Sequence, residues 1–394
     1  MIIDGTTIHI FDDGQWVIHT PQGRNFLVNE PTYRLFSILQ NVKQADEALG
    51  HFNTAFGTSF TKEQLIELIN EKLGGYHILK NDGTTEKPSL ENQYLKLKVE
   101  LINARIAGWL SKPFQIFFNP SVFWWSLCGT ILMILTIYFR SNTHNIVQKV
   151  NYPLLLTLFY ATMLIHELGH IAGCAKYGLK HGGIGFGFYF IMPVMYADIT
   201  NVWLANKQQR MMANMGGIFT ELLYAAILGI IYLFTNNNTF LTASIGIASF
   251  VVWEFNPFVR FDGYWILSDL TNTPNLLKKG NETFYKPLTK NNLLHPIEAL
   301  KQTSTKTFWL FLYGFINTVF VFGLMGYTLF IYWNTVVRFP TIVWQLLQKA
   351  IHLNLAWNDL SRSLITVFIF YVLFIRFLIH YLQKTSISLL KRVS

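Results

Sequence analysis

Apolar positions along this 394-residue chain fall into two regimes. Up to about residue 80 they come in short runs, or at helical spacing among polar neighbours. Beyond residue 113 they come in stretches long enough to cross a bilayer. In the first regime, Ile8–Ile10 and Trp16–Ile18 are β-like runs separated by the turn signal Asp12-Asp13-Gly14, and Gly23–Val28 offers a third strand. Asn29 before Glu30-Pro31 predicts a cap and first turn for a helix through Gln40. Leu65, Ile66, Leu68, Ile69 and Leu73 mark the apolar face of a helix over Lys62–Leu73, which Gly74-Gly75 ends before Tyr76–Leu79 returns as a strand. A small sheet followed by helices predicts a small α+β, winged-helix-like domain over residues 1–80. Residues 81–113 read as a connection: a polar linker at Asn81–Pro88, then one amphipathic helix over Tyr94–Leu110. That helix would set Lys96, Lys98 and Arg105 among Leu95, Leu97, Leu101, Ile102 and Ile106 and lie on a membrane surface.

Residues 114–394 carry the long apolar runs. Six spans are expected, at Ser121–Phe139, Tyr152–Ala175, Met211–Phe234, Phe240–Phe255, Phe308–Trp333 and Ser363–Leu382; the fourth is barely long enough. Between the second and third spans, Gly182–Tyr196 alternates Gly185-Phe186-Gly187-Phe188, which predicts an extended hairpin rather than a helix. Non-helical backbone at membrane depth is tolerated only against protein or a wet cavity, so this segment is expected to line a site. The predicted fold class is mostly α: a polytopic helical membrane protein of about six spans with a Gly-rich re-entrant β-like hairpin and the α+β N-terminal domain.

Composition strengthens the membrane assignment. The chain is 51% hydrophobic and only 13% charged, where soluble domains carry about 25% charged residues. The net charge of +9 raises the question of nucleic acid. No compact basic motif supports it, and the Lys62–Leu73 helix balances Lys62 and Lys72 against Glu63, Glu67 and Glu71, so no nucleic-acid partner is expected. The cations instead flank apolar runs. Lys176, Lys180, Lys207, Arg210, the Lys-rich loop Lys278–Lys306, and Lys384, Lys391 and Arg392 place both termini in the cytoplasm; Arg140, Lys149, Arg338 and Lys349 weigh the other way. Met1–Thr20 is too polar for a cleavable signal peptide, so the first span is expected to direct insertion into the cell membrane. Cys128 and Cys174 both fall within apolar runs and read as packing residues.

The chemistry concentrates in His166-Glu167-Leu168-Gly169-His170. On a helix, positions i and i+4 share a face, so two imidazoles can bind one cation while Glu167 takes a proton from the attacking water. From Leu154 to Cys174 Glu167 is the only acidic or basic residue besides the two histidines, and burying three such groups in lipid is costly unless they have a task; the bland alternative is a polar cluster joining helices. A catalytic zinc needs a third protein ligand. Asp262 is the best candidate: it follows the fourth span, whose cytoplasmic end is also the side to which the second span runs. His170 lies about 9 Å inside that end at 1.5 Å per residue. Asn256-Pro257 would break the span, and Gly263 would permit the turn that aims Asp262. The alternative for Asp262-Gly263 is an ordinary turn. Three neighbours are candidates for binding substrate or supporting the site: Glu221 as acceptor for a ligating imidazole or partner of Arg260, Asn256 as a donor to substrate or as a helix-end cap, and Arg260 as a charge stabiliser or membrane-face anchor.

The HExxH in a membrane helix, the downstream Asn-Pro and Asp-Gly, and the Gly-rich hairpin between them resemble the site-2 protease family of intramembrane zinc proteases. Asn256-Pro257-Phe258-Val259-Arg260-Phe261-Asp262-Gly263-Tyr264-Trp265 is especially similar to its bacterial peptide zinc metalloprotease branch. The resemblance covers about Tyr152–Asp269 and implies one Zn2+ per chain held by His166, His170 and Asp262, with Glu167 as base. Arg260-Phe261 stands where many members have Pro and Leu, which leaves specificity open. The N-terminal domain, through Gly14–Val17, the Gly23–Val28 strand leading to Asn29-Glu30 and its helix-rich later half, resembles the PqqD-like peptide-recognition module of modified-peptide pathways. That resemblance implies a leader peptide added to the small sheet; a generic regulatory domain is the alternative. The function expected is endoproteolysis of a peptide or membrane-associated precursor near the cytoplasmic face. The alternative is a non-proteolytic, metal-containing membrane component that binds or exports a peptide.

Overall fold

The computed structural model describes residues 2–79, 95–141, 150–288 and 304–352, apart from 13, 22, 43–44, 77 and 190–191, together with part of 364–378. The linker Asn81–Pro88 lies outside the described residues. Two compact units emerge, residues 1–274 and residues 275–394.

The first unit begins with an antiparallel sheet, β1 (Thr7–Asp12), β2 (Gln15–His19) and β3 (Asn25–Asn29), in that order. Asn29 accepts a hydrogen bond from the Thr32 N–H and so caps α1 (Glu30–Asn41), as Asn before Glu-Pro predicts. α2 (Ala45–Phe56) was not anticipated. It packs with α1 and α3 (Lys62–Leu73), whose Thr61–Gln64 capping box fixes its start. Ile18, Phe36, Leu39, Leu65, Leu73 and Ile78 are fully buried and form this domain's own core. Tyr76 ends a 3-10 turn; among the described residues beyond it, Leu79 bridges to Ile2 and the Ile78 carbonyl accepts from the Ile3 N–H at 2.9 Å.

The described residues 95–110 do not form one helix. Leu95–Ile102 is a strand, β4, and only Ala104–Ser111 is helical, α4. The run Leu95, Leu97, Val99, Leu101 interleaved with Lys96, Lys98 and Glu100 has period two, and the strand pattern outweighs the helical one once a partner is available. The partner is the Gly-rich segment: β5 (Ile184–Tyr189) and β6 (Met192–Ala197) form the expected hairpin, and β4 adds to it in the order β4-β5-β6.

Among the described residues, four helices are long and apolar enough to cross a membrane, the form of a multi-pass membrane protein. They are α5 (Pro120–Arg140), α6 (Tyr152–Lys176), α8 (Gly216–Thr235) and α12 (Thr305–Ile351). The expected third span, Met211–Phe234, is divided. Asn206 and Gln209 form a capping box that starts a separate helix, α7 (Lys207–Asn214), and the chain turns at Met215 before two glycines. The expected fourth span is the 17-residue α9 (Asn238–Glu254), followed by α10 (Asp262–Leu270). Six full spans are therefore not shown.

In the second unit, α11 (Leu276–Leu288) occupies the start of what the sequence presents as a Lys-rich loop. α12 runs well past Trp333, with a kink at Tyr332 and Pro340 inside it. Of the expected sixth span, an apolar helix at Thr366–Ile375 is described. The two cysteines are unbonded, Cys174 buried and Cys128 exposed.

Candidate metal centre

The C-terminal half of α6 is buried continuously from Glu167 to Cys174, and the reason is glycine. A Cβ on Gly169 would strike the Gly216 carbonyl, and one on Gly216 would strike the Gly169 carbonyl, so α6 and α8 touch backbone to backbone there. Thr220 adds a hydroxyl that donates to the Ile165 carbonyl at 2.9 Å. This close crossing puts Gly217 directly against the two histidines. A Cβ there would lie 2.5 Å from His166 Nε2 and 2.7 Å from His170 Nε2. Gly217 thus leaves open the space into which both imidazole nitrogens point.

α10 closes that space. Gly263 packs so tightly on the end of α9 that a Cβ would overlap the Phe255 carbonyl, and this approach brings Asp262, the first residue of α10, over the rings. Asp262 Oδ2 stands 3.3 Å from His166 Nε2 and 3.3 Å from His170 Nε2, and the two nitrogens are 3.1 Å apart. Oδ2 is buried with no hydrogen-bond donor among the described residues. Burial pushes the Asp262 carboxyl up, but attraction to His170 and His166 outweighs it and holds the group well below the usual carboxylate range.

The three atoms make a nearly equilateral triangle, and its size is chemically specific. Ligands about 2.0–2.1 Å from one ion at tetrahedral angles stand about 3.3 Å apart. Two imidazole nitrogens and one carboxylate oxygen also make the nitrogen-rich donor set that zinc accepts. The residues present therefore fit a zinc ion on two independent grounds, the donor spacing and the glycine-made space in front of it.

The imidazoles are oriented from behind. His170 Nδ1 donates to the Ala213 carbonyl at 2.9 Å, which leaves Nε2 free to face the triangle. His166 Nδ1 faces two carboxylates, Glu221 Oε1 at 3.5 Å and Glu254 Oε1 at 3.9 Å. The other oxygens of both acids are buried and have no hydrogen-bond partner among the described residues. His166, Glu221 and Glu254 thus form a second group with metal-capable spacing that shares an imidazole with the first. Glu167 is buried beside His166, His170 and Asp262, with the Ala197 backbone N–H directed at its carboxylate.

Of the residues expected from sequence, His166, Glu167, His170, Asp262 and Glu221 are brought together. Asn256 is engaged otherwise: its side chain accepts from the Phe258 N–H at 2.9 Å, which makes it the turn former at the end of α9. Arg260 lies over the Tyr264 ring at 5.8 Å. Sequence reasoning passed over Glu254 and the Ala213 carbonyl. Glu254, like Glu167, is an acid in an apolar run, here at its end, whereas a backbone acceptor leaves no trace in residue identity.

The chain is 25% identical over 157 residues to the Bacillus subtilis protein named "Putative peptide zinc metalloprotease protein YydH". That match covers 38% of this chain and 62% of the relative, less than two thirds of its length. No family model matches the chain, and no solved structure matches it significantly.

Proposed function

We propose that this chain is a membrane-embedded zinc-dependent endopeptidase acting on a peptide or membrane-associated precursor. The observation that carries the proposal is the triangle of His166 Nε2, His170 Nε2 and Asp262 Oδ2, with edges of 3.1–3.3 Å and a buried carboxylate beside it. The distant relative's name, a zinc metalloprotease of peptides, supports the same activity. His166, His170 and Asp262 would hold one zinc per chain. When bound there, the ion would supply Lewis acidity, acidifying a water and polarising the scissile carbonyl. Glu167 accepts the proton of the attacking water on its carboxylate and returns it to the leaving amine. The carboxylates of Glu221 and Glu254, 3.5 Å and 3.9 Å from His166 Nδ1, favour the tautomer that carries its proton there and presents Nε2.

The substrate chain is best accommodated as a strand along β6. Asp198 donates its N–H to the Gly183 carbonyl, so by antiparallel alternation Ala197 and Met195 direct theirs away from β5. That edge, unpaired by any strand among the described residues, begins at the N–H facing Glu167, and a helical precursor would unwind to pair with it. The N-terminal domain is then the module that delivers a leader peptide. Cation placement favours both termini in the cytoplasm and a site near that face.

Glu167→Gln provides the test. Zinc content should stay at the wild-type level while cleavage of a precursor peptide falls by about 10²–10⁴-fold. Unchanged cleavage would remove Glu167 from the reaction. Intact peptide binding or export with no cleavage even by the wild type would favour the non-proteolytic alternative.

A further inference from the structure

α7 touches the metal centre and the N-terminal domain at once. Its Ala213 carbonyl receives the His170 Nδ1–H at 2.9 Å, and the next residue, Asn214, donates to Asp269 Oδ2 at 2.6 Å. One turn earlier, Arg210 donates from Nε to Asp269 Oδ1 at 3.0 Å, so the two carboxylate oxygens of Asp269 are held by two successive turns of α7. Asp269 lies seven residues after Asp262 on α10. Seven residues are two turns, so both acids lie on one face, about 10 Å apart along the axis. Clamping Asp269 therefore fixes the rotation and height of the helix that presents Asp262.

Arg210 is also among the most completely buried side chains, 1% exposed, and it does not reach that state alone. Its remaining guanidinium nitrogens donate to the Ala205 carbonyl at 2.9 Å, to Asn272 Oδ1 at 3.2 Å and, at 3.4 Å, to the carbonyl of Phe11 on β1. The Phe11 ring covers the guanidinium at 3.8 Å and stacks on Trp203 at 5.6 Å. Phe11 is buried, yet it takes no part in the N-terminal domain's own core. Asn25 on β3 adds a second tether to the Thr200 carbonyl at 3.0 Å. A buried cation is held tightly only when its partners complete their contacts. Here one face of that enclosure is supplied by the N-terminal sheet.

We propose that Arg210 is a positioning residue of the metal centre, through which the docked N-terminal sheet sets the place of the Asp262 ligand. This rests on His166, His170 and Asp262 being metal ligands. Displacement of β1 uncovers the guanidinium, loosens its grip on Asp269 and lets α10 shift the third ligand. Occupancy of the N-terminal domain thereby has a physical route to the site.

The test is a cobalt titration of full-length, metal-stripped protein in detergent, read by the visible absorption of the bound ion. Wild type, Phe11→Ala, Arg210→Met, the double variant, Asp269→Asn and His166→Ala are compared, each with its melting transition. Arg210→Met should weaken cobalt binding about 10-fold or more, the size expected when a group supporting a ligand is lost. Phe11→Ala should weaken it less and add nothing in the Arg210→Met background. If Arg210→Met does not fold, Asp269→Asn should weaken binding in its place, and Phe11→Ala, which spares the domain core, remains readable. Wild-type affinity in Phe11→Ala and Arg210→Met, or in Phe11→Ala and Asp269→Asn where Arg210→Met fails to fold, would overturn the proposal, as would additive effects or lowered melting with unchanged affinity. His166→Ala separates the two levels: if it too binds like wild type, the metal assignment itself fails, and the positioning role falls with it.

Discussion

His166 and His170 stand one turn apart on α6, so the helix itself sets their spacing, and the crossing with α8 only has to leave room in front of them. Asp262 reaches the same point from the start of α10, ninety-two residues after His170. Nothing local fixes it there. It depends on Gly263 fitting under the Phe255 carbonyl and on Asp269 being held by α7. Two of the proposed ligands are thus built into one element, and the third is a consequence of tertiary packing. The first kind tolerates distant change, and the second transmits it.

The strongest way to break this comparison is Asp262→Ala. Metal affinity, measured by competition with a chromophoric chelator, should fall by more than the roughly 10–100-fold that loss of a supporting group costs. A smaller loss would mean that the α6 pair holds the ion without the packed-in ligand. Gly217→Ala probes the α6 side. The added methyl would sit 2.5 Å from His166 Nε2 and 2.7 Å from His170 Nε2, so the rings must turn or α8 must withdraw. Metal affinity should drop by about 10–100-fold with α6 still helical by circular dichroism. Glu221→Gln sharpens the picture most finely. The amide keeps its size and an acceptor oxygen near His166 Nδ1, but its charge is gone. The loss should lie at or below about 10-fold, and Glu254, 3.9 Å from the same nitrogen, remains to share the task.

The same division governs what the residues disclose in advance. HExxH is legible because its geometry is local, and a buried acid among apolar neighbours announces itself by cost. Asp262 was legible through Asp-Gly following Asn-Pro, a pattern of chain reversal beside a span. Residues 95–102 were not, because alternating Leu and Lys fits a surface helix or a strand until the β5–β6 hairpin supplies an edge. The division of 211–234 at Met215 was hidden because the polar start of α7 joins an apolar run without a proline. By sequence, Arg210 reads as an interfacial cation. Its burial depends on Phe11, Asp269 and Asn272, each far away in sequence, and no window of residues contains them together.

X-ray absorption at the zinc edge tests the central claim most directly, on purified full-length protein carrying zinc. The account predicts one zinc per chain with two imidazoles among its nearest neighbours, the rest of the shell oxygen, and no sulfur. A shell with a single imidazole or none, or one containing sulfur, would contradict it.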